Sequence, residues 1–98
     1  EWTIQELLTT HALADEGRAM RHCVATYAEE VLRGESAIFG MRVCWGGGSP
    51  SRAVTIEVNP RNRRIVQVRG KLNRDPTRLE CSVLRQWAAE ASLTDAWN

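Results

Sequence analysis

Three short runs in the middle of the chain place an apolar side chain at every second position, and this pattern constrains the fold more than any other. Ala37 to Trp45 carries Phe39, Met41, Val43 and Trp45; Ala53 to Val58 carries Val54, Ile56 and Val58; Arg64 to Arg69 carries Val66 and Val68. A period of two is the signature of a strand, because successive side chains leave opposite faces. The connections Gly46-Gly47-Gly48-Ser49-Pro50-Ser51 and Asn59-Pro60-Arg61-Asn62 are short and polar, so the strands must return on themselves as a three-stranded antiparallel β-meander. The triple glycine lacks the lysine and helix start of a phosphate-binding loop and is read as a hairpin loop.

The flanking segments carry helical spacing. Thr3 and Glu6 have the form of a capping box, with Trp2 stapled to Leu7, and predict a short first helix ending near Thr10 or His11. Leu13, Met20, Val24, Tyr27 and Val31 mark one stripe of a second helix running to Leu32, with Gly34 as its stop. Asp75 as N-cap and Pro76 at the first helical position open a last helix to about Ser92, with Leu79, Val83, Leu84, Trp87 and Ala91 as its apolar face. The expected fold is α+β: N-terminal helices, a three-stranded antiparallel meander, and a C-terminal helix packed on one sheet face. The 98 residues suffice for one hydrophobic core, so residues 1–98 are read as a single domain. The chain begins with Glu1, and the expectation is a domain excised from a longer protein whose remaining domains are its partners.

Cys23, Cys44 and Cys81 are odd in number and irregular in spacing, which fits neither a disulfide framework nor a paired zinc site. Reduced cysteines, the lack of a signal peptide and the lack of an apolar run of about 18 residues predict a cytoplasmic protein without membrane contact. No metal and no cofactor is expected. Charge is unevenly placed. Glu1 to Glu35 holds seven acids against three arginines, whereas Arg52 to Arg78 holds seven arginines and Lys71 against Glu57 and Asp75. A basic segment in a near-neutral domain is the footprint of a polyanionic partner.

The order of motifs resembles a known family. Glu16-Gly17, His22-Cys23-Val24, Tyr27, Gly34, Thr55-Ile56-Glu57, and Gln67, Gly70 and Asn73 follow the pattern of the PcfJ-like domain of bacterial conjugative plasmids and other mobile elements. Ala25 stands where that pattern often has glycine. The resemblance implies a mobile-element setting and singles out His22 and Cys23.

Three functional readings follow. The leading one is a nucleic-acid-associated module, binding or processing DNA or RNA, with Arg61, Arg63, Arg64, Arg69, Lys71, Asn73 and Arg74 on the phosphates or another anion. The alternative is an enzyme whose pocket joins His22, Cys23 and Tyr27 to Thr55, Glu57, Gln67 and Asn73, with Cys23 as nucleophile or His22 as acid/base and Arg69 on an anionic group. The third is a protein-interaction domain using the polar sheet face or an edge. Against each stands a plainer reading: a packed cysteine beside a solvated histidine, arginines paired with the acidic first third, and a sheet face that is simply wet. His22 and Cys23 are adjacent and cannot face each other on an unbroken helix, so the enzyme reading needs a break there or partners from the sheet.

Overall fold

A computed structural model describes residues 1–22 and 27–94. Its centre is a four-stranded antiparallel sheet in the order β1 (Trp2–Glu6), β2 (Ala37–Val43), β3 (Ser51–Asn59) and β4 (Arg64–Arg69). Between β1 and β2 lie the helices α1 (Thr10–Met20) and α2 (Ala28–Leu32); after β4 come a 3₁₀ turn, Lys71–Asn73, and the helix α3 (Arg78–Glu90). The alternation in the three central runs is the pattern of β2, β3 and β4.

The expected first helix is a strand. Trp2 and Ile4 alternate with Thr3 and Gln5, and Trp2 pairs with Val43 while Ile4 pairs with Met41. Both apolar side chains pack against the main core. A capping box contributes about 1 kcal/mol, whereas full burial of one isoleucine-sized side chain contributes about 1.5–3 kcal/mol, and here two large apolar side chains are each partly buried. The open edge of β2 therefore outweighs the cap signal, and the sheet has four strands rather than three.

The long second helix is also not continuous. Arg21 takes a left-handed conformation (φ 54°, ψ 51°), and its N–H bonds to the Gly17 carbonyl, closing α1 at Met20. Helix resumes at Ala28 and stops at Leu32, with Gly34 left-handed just beyond (φ 74°). Cys23 and Val24, which the long helix would have contained, lie outside the described residues. The last helix starts two residues later than expected. Thr77 accepts from the Glu80 N–H and the Glu80 carboxylate accepts from the Thr77 N–H, a reciprocal cap. Asp75, the expected cap, instead accepts from Arg69 at 3.2 Å.

Helices cover both faces of the sheet, not one. Leu84 and Ala88 of α3 pack on Met41, Val54, Ile56, Val58 and Val68. On the opposite face Leu13 of α1 packs with Leu7 and Ile38, joined by Tyr27, Ala28 and Val31. Leu79, expected inside, is exposed. Val66 is exposed too, because a bulge opposite Glu57 and Val58 puts Ile65 inward in its place, while Val68 faces inward as the alternation predicts. The arrangement has one consequence for the site: the polar face of β3 and β4 lies under α1 and α2.

Candidate functional site

Cross-strand register brings the polar face together. Ile38 and Gln67 flank Glu57, and Gly40 and Arg69 flank Thr55, so all six share one face. Gln67, Glu57, Thr55 and Arg69 thus come from two hairpin strands at fixed spacing. His22 arrives because α1 stops at Met20 and the chain turns through left-handed Arg21. Tyr27 stands at the entry of α2. Asn73 ends the 3₁₀ turn in a left-handed conformation (φ 62°), which asparagine tolerates better than most residues.

These side chains line one cavity of about 100 Å³: His22, Tyr27, Ile38, Thr55, Glu57, Gln67, Arg69 and Asn73. That volume equals roughly three liquid waters at ~30 Å³ each. It is smaller than the roughly 300–1,000 Å³ of a site that engulfs a drug-sized ligand. A space of this size admits the reacting group of a substrate and leaves the rest of it outside.

Behind the cavity lies a hydrogen-bonded chain. His22 Nε2 is 2.8 Å from Thr55 Oγ1, and Thr55 donates to Glu16 Oε2 at 2.6 Å. Glu16 is only 1% exposed and is paired with Arg52, whose Nε donates to Oε1 at 3.0 Å. The sheet makes room for this carboxylate with glycine. A Cβ on Gly40 would lie 3.3 Å from Glu16 Oε2, closer than an ordinary contact. Neither Glu16 nor Arg52 was among the expected site residues. Two signals pointed to Glu16: it opens the motif series at Glu16-Gly17, and it falls between Leu13 and Met20 at helical steps, a carboxylate inside an apolar stripe.

Glu57 sits differently. Burial pushes its carboxyl above the ordinary 4.5; hydrogen bonds with the Ser36 and Tyr27 side chains oppose the rise, the Glu30 charge adds to it, and the net shift is upward. Glu30 Oε2 is itself buried, with no hydrogen-bond partner among the described residues. The sign for stability follows. Since the folded protein holds this proton more tightly than the unfolded chain, the ionised group disfavours folding, and stability falls as pH rises from the unfolded value through the raised one. Glu57→Gln should therefore be more stable than wild type at pH 7. The gain should vanish below about pH 4, where the wild-type carboxyl is protonated in both states. Urea melts across that range measure it, and a gain independent of pH would contradict the assignment.

The basic segment does not form one patch. Arg63 donates to the carbonyls of Ala91 and Ser92 and so caps the end of α3. Arg74 grips both Glu80 oxygens, at 2.9 and 3.0 Å, and the Ala53 carbonyl. Arg69 lines the cavity, and its partner Asp75 is 88% exposed and so readily displaced. Arg61, Arg64 and Lys71 are exposed. Cys23 lies outside the described residues. Among the described residues no group of three or more His, Cys, Asp and Glu side chains is placed to hold a metal. No described helix is long and apolar enough to cross a membrane.

Neither the curated proteins nor the solved structures provide a match to the chain. The family model of the PcfJ-like proteins does match, over residues 1–82. That span holds the whole sheet, α1, α2 and every residue around the cavity. The chain therefore belongs to the PcfJ-like protein family.

Proposed function

We propose that this domain is a catalytic module that binds an anionic substrate at Arg69 and carries out general acid–base chemistry on a small group held in the cavity. The observation that carries the reading is the pairing of two unlike titratable groups around one space. His22 is backed through Thr55 by a buried carboxylate, while burial raises the Glu57 carboxyl above its ordinary value. An imidazole and a desolvated carboxyl facing one space are the kind of pair that serves as base and acid on one substrate. His22 is the base and Glu57 the acid. Gln67 and Asn73 orient the substrate, and Arg69 exchanges exposed Asp75 for the substrate's anionic group.

The second reading, a nucleic-acid-associated module of a bacterial mobile-element protein, is favoured by exposed Arg61, Arg64 and Lys71. It is compatible with the first, since a nucleic acid would supply the anion. Fluorescence anisotropy with labelled single-stranded and duplex DNA and RNA tests both, with product formation followed by gel. Arg69→Ala should weaken binding of the preferred probe about 10- to 100-fold, the loss of one charge-assisted contact. Glu57→Gln should bind the probe and leave it unprocessed. If nucleic acid is the substrate, each of Arg61→Ala, Arg64→Ala and Lys71→Ala lowers the salt dependence of binding by about one phosphate contact. Processing that survives in both Glu57→Gln and His22→Ala would refute the catalytic reading. Binding with no salt dependence would refute the nucleic-acid one.

A further inference from the structure

We infer that Glu16 and Thr55 are positioning residues that fix the proton of the neutral His22 ring on Nε2, making Nδ1 the nitrogen that accepts a proton. A threonine hydroxyl has one proton to give. Arg52 donates to Glu16 Oε1 at 3.0 Å in an ion pair, and an ion-paired carboxylate can only accept. The 2.6 Å contact between Thr55 Oγ1 and Glu16 Oε2 therefore uses the hydroxyl proton. The remaining contact of Thr55 Oγ1, 2.8 Å from His22 Nε2, can then only be an N–H donated by the ring. The direction of the whole chain is set at its far end by Arg52: guanidinium to carboxylate, hydroxyl to carboxylate, imidazole to hydroxyl.

The site is built for this. Glu16 is 1% exposed, Gly40 leaves the slot its carboxylate fills, and Thr55 is held on β3 between β2 and β4. The catalytic use of the arrangement rests on the reading above. A proton leaving the substrate bonds to Nδ1, the Nε2 proton stays with Thr55, and the resulting imidazolium is stabilised by Glu16 through the intervening hydroxyl. Glu16 stays ionised on Arg52 throughout. Neither Glu16 nor Thr55 gives up or takes a proton, so they act through His22.

Nitrogen-15 NMR of the whole 98-residue chain tests the assignment. At pH 8.5, well above the ~6.5 of an ordinary imidazole, the wild-type ring should carry a proton bonded to Nε2, with a Thr55 hydroxyl proton visible beside it. Exchange of the Nε2 proton with water should be roughly tenfold slower than in Thr55→Val, the effect of one retained hydrogen bond. Thr55→Ser should restore the slow exchange. Glu16→Gln, whose amide can donate as well as accept, should give a mixture of ring tautomers. A bare Nε2 with the proton on Nδ1 would overturn the inference, as would unchanged exchange in Thr55→Val. Should Thr55→Val fail to fold, the serine and Glu16→Gln variants decide. A protected Nε2 proton in a protein that processes no anionic probe would support this assignment and count only against the catalytic reading. Processing with a bare Nε2 would sink this assignment alone.

Discussion

Gly70→Ala should cost about 2–3 kcal/mol of stability, the loss expected when a buried ion pair loses a partner that is partly open to solvent. The backbone at Gly70 (φ −89°, ψ −167°) is extended and open to any residue, so conformation is not the reason. Space is. A Cβ there would lie 2.5 Å from Arg74 Cζ and 2.7 Å from both its Cγ and Nε. Arg74 cannot step aside cheaply, because its guanidinium holds both Glu80 oxygens and the carbonyls of Ala53 and Asp75. Alanine would drive the whole side chain out and leave Glu80, only 7% exposed, with Thr77 alone. For a domain of this size the loss corresponds to a fall in Tm of roughly 10–20 °C. It should also depend on pH. Burial pushes the Glu80 carboxyl up, but hydrogen bonds from Arg74 and Thr77 and the Arg74 charge outweigh it and hold the group below 4.5. A depressed carboxyl contributes stability above its unfolded value and loses it as pH falls through the folded one. The gap between wild type and Gly70→Ala should therefore be widest at neutral pH and narrow in acid. Thermal melts at pH 7 and pH 3 would show it, and a constant gap would exclude Arg74–Glu80 as the cause.

The strands that a reader of the sequence finds are those whose alternation is buried on at least one face. β2, β3 and β4 qualify. β1 was hidden by Thr3 and Glu6, which spell a helix cap, although in the strand Thr3 shares the outward face with Gln5 and Glu6 is the exposed last residue. The break after Met20 was hidden for another reason: it is made by an arginine in the left-handed region, and no glycine or proline advertises it. Alternation also predicted which side chains share the polar face of β3 and β4, so Thr55, Glu57, Gln67 and Arg69 were legible as neighbours. What alternation cannot say is what covers that face. α1 and α2 do, and they convert an apparently wet surface into a cavity with Glu16 behind it. Periodicity also failed in the arginine segment, where Arg63 and Arg74 serve the ends of α3. Which arginines face solvent depends on tertiary partners, and composition carries no information about those.

Arg52→Met should cost about 3 kcal/mol, because it strands the Glu16 carboxylate in the interior with one hydroxyl for company. If the pair were present for stability, removing both members would be at least as damaging. The physics of buried charge argues the opposite. Desolvating two ions roughly cancels their attraction, and apolar residues of similar volume in both places are often neutral or stabilising by about 1–4 kcal/mol. The double variant Glu16→Met/Arg52→Met should accordingly recover most of what Arg52→Met loses, with methionine following the path of the glutamate side chain past Gly40. The two positions are in contact, so their effects should be far from additive, with a coupling of about 2–3 kcal/mol. Equilibrium denaturation of the two single variants and the double variant measures this coupling directly. A stable double variant whose His22 proton is no longer held on Nε2 would show that the fold tolerates the loss of Glu16 and Arg52 while the site does not. A double variant less stable than Arg52→Met would show instead that the pair is needed to hold α1 on the sheet. The buried carboxylate of Glu80 caps a helix, whereas that of Glu16 accepts from the threonine that contacts His22, a placement that folding alone does not explain.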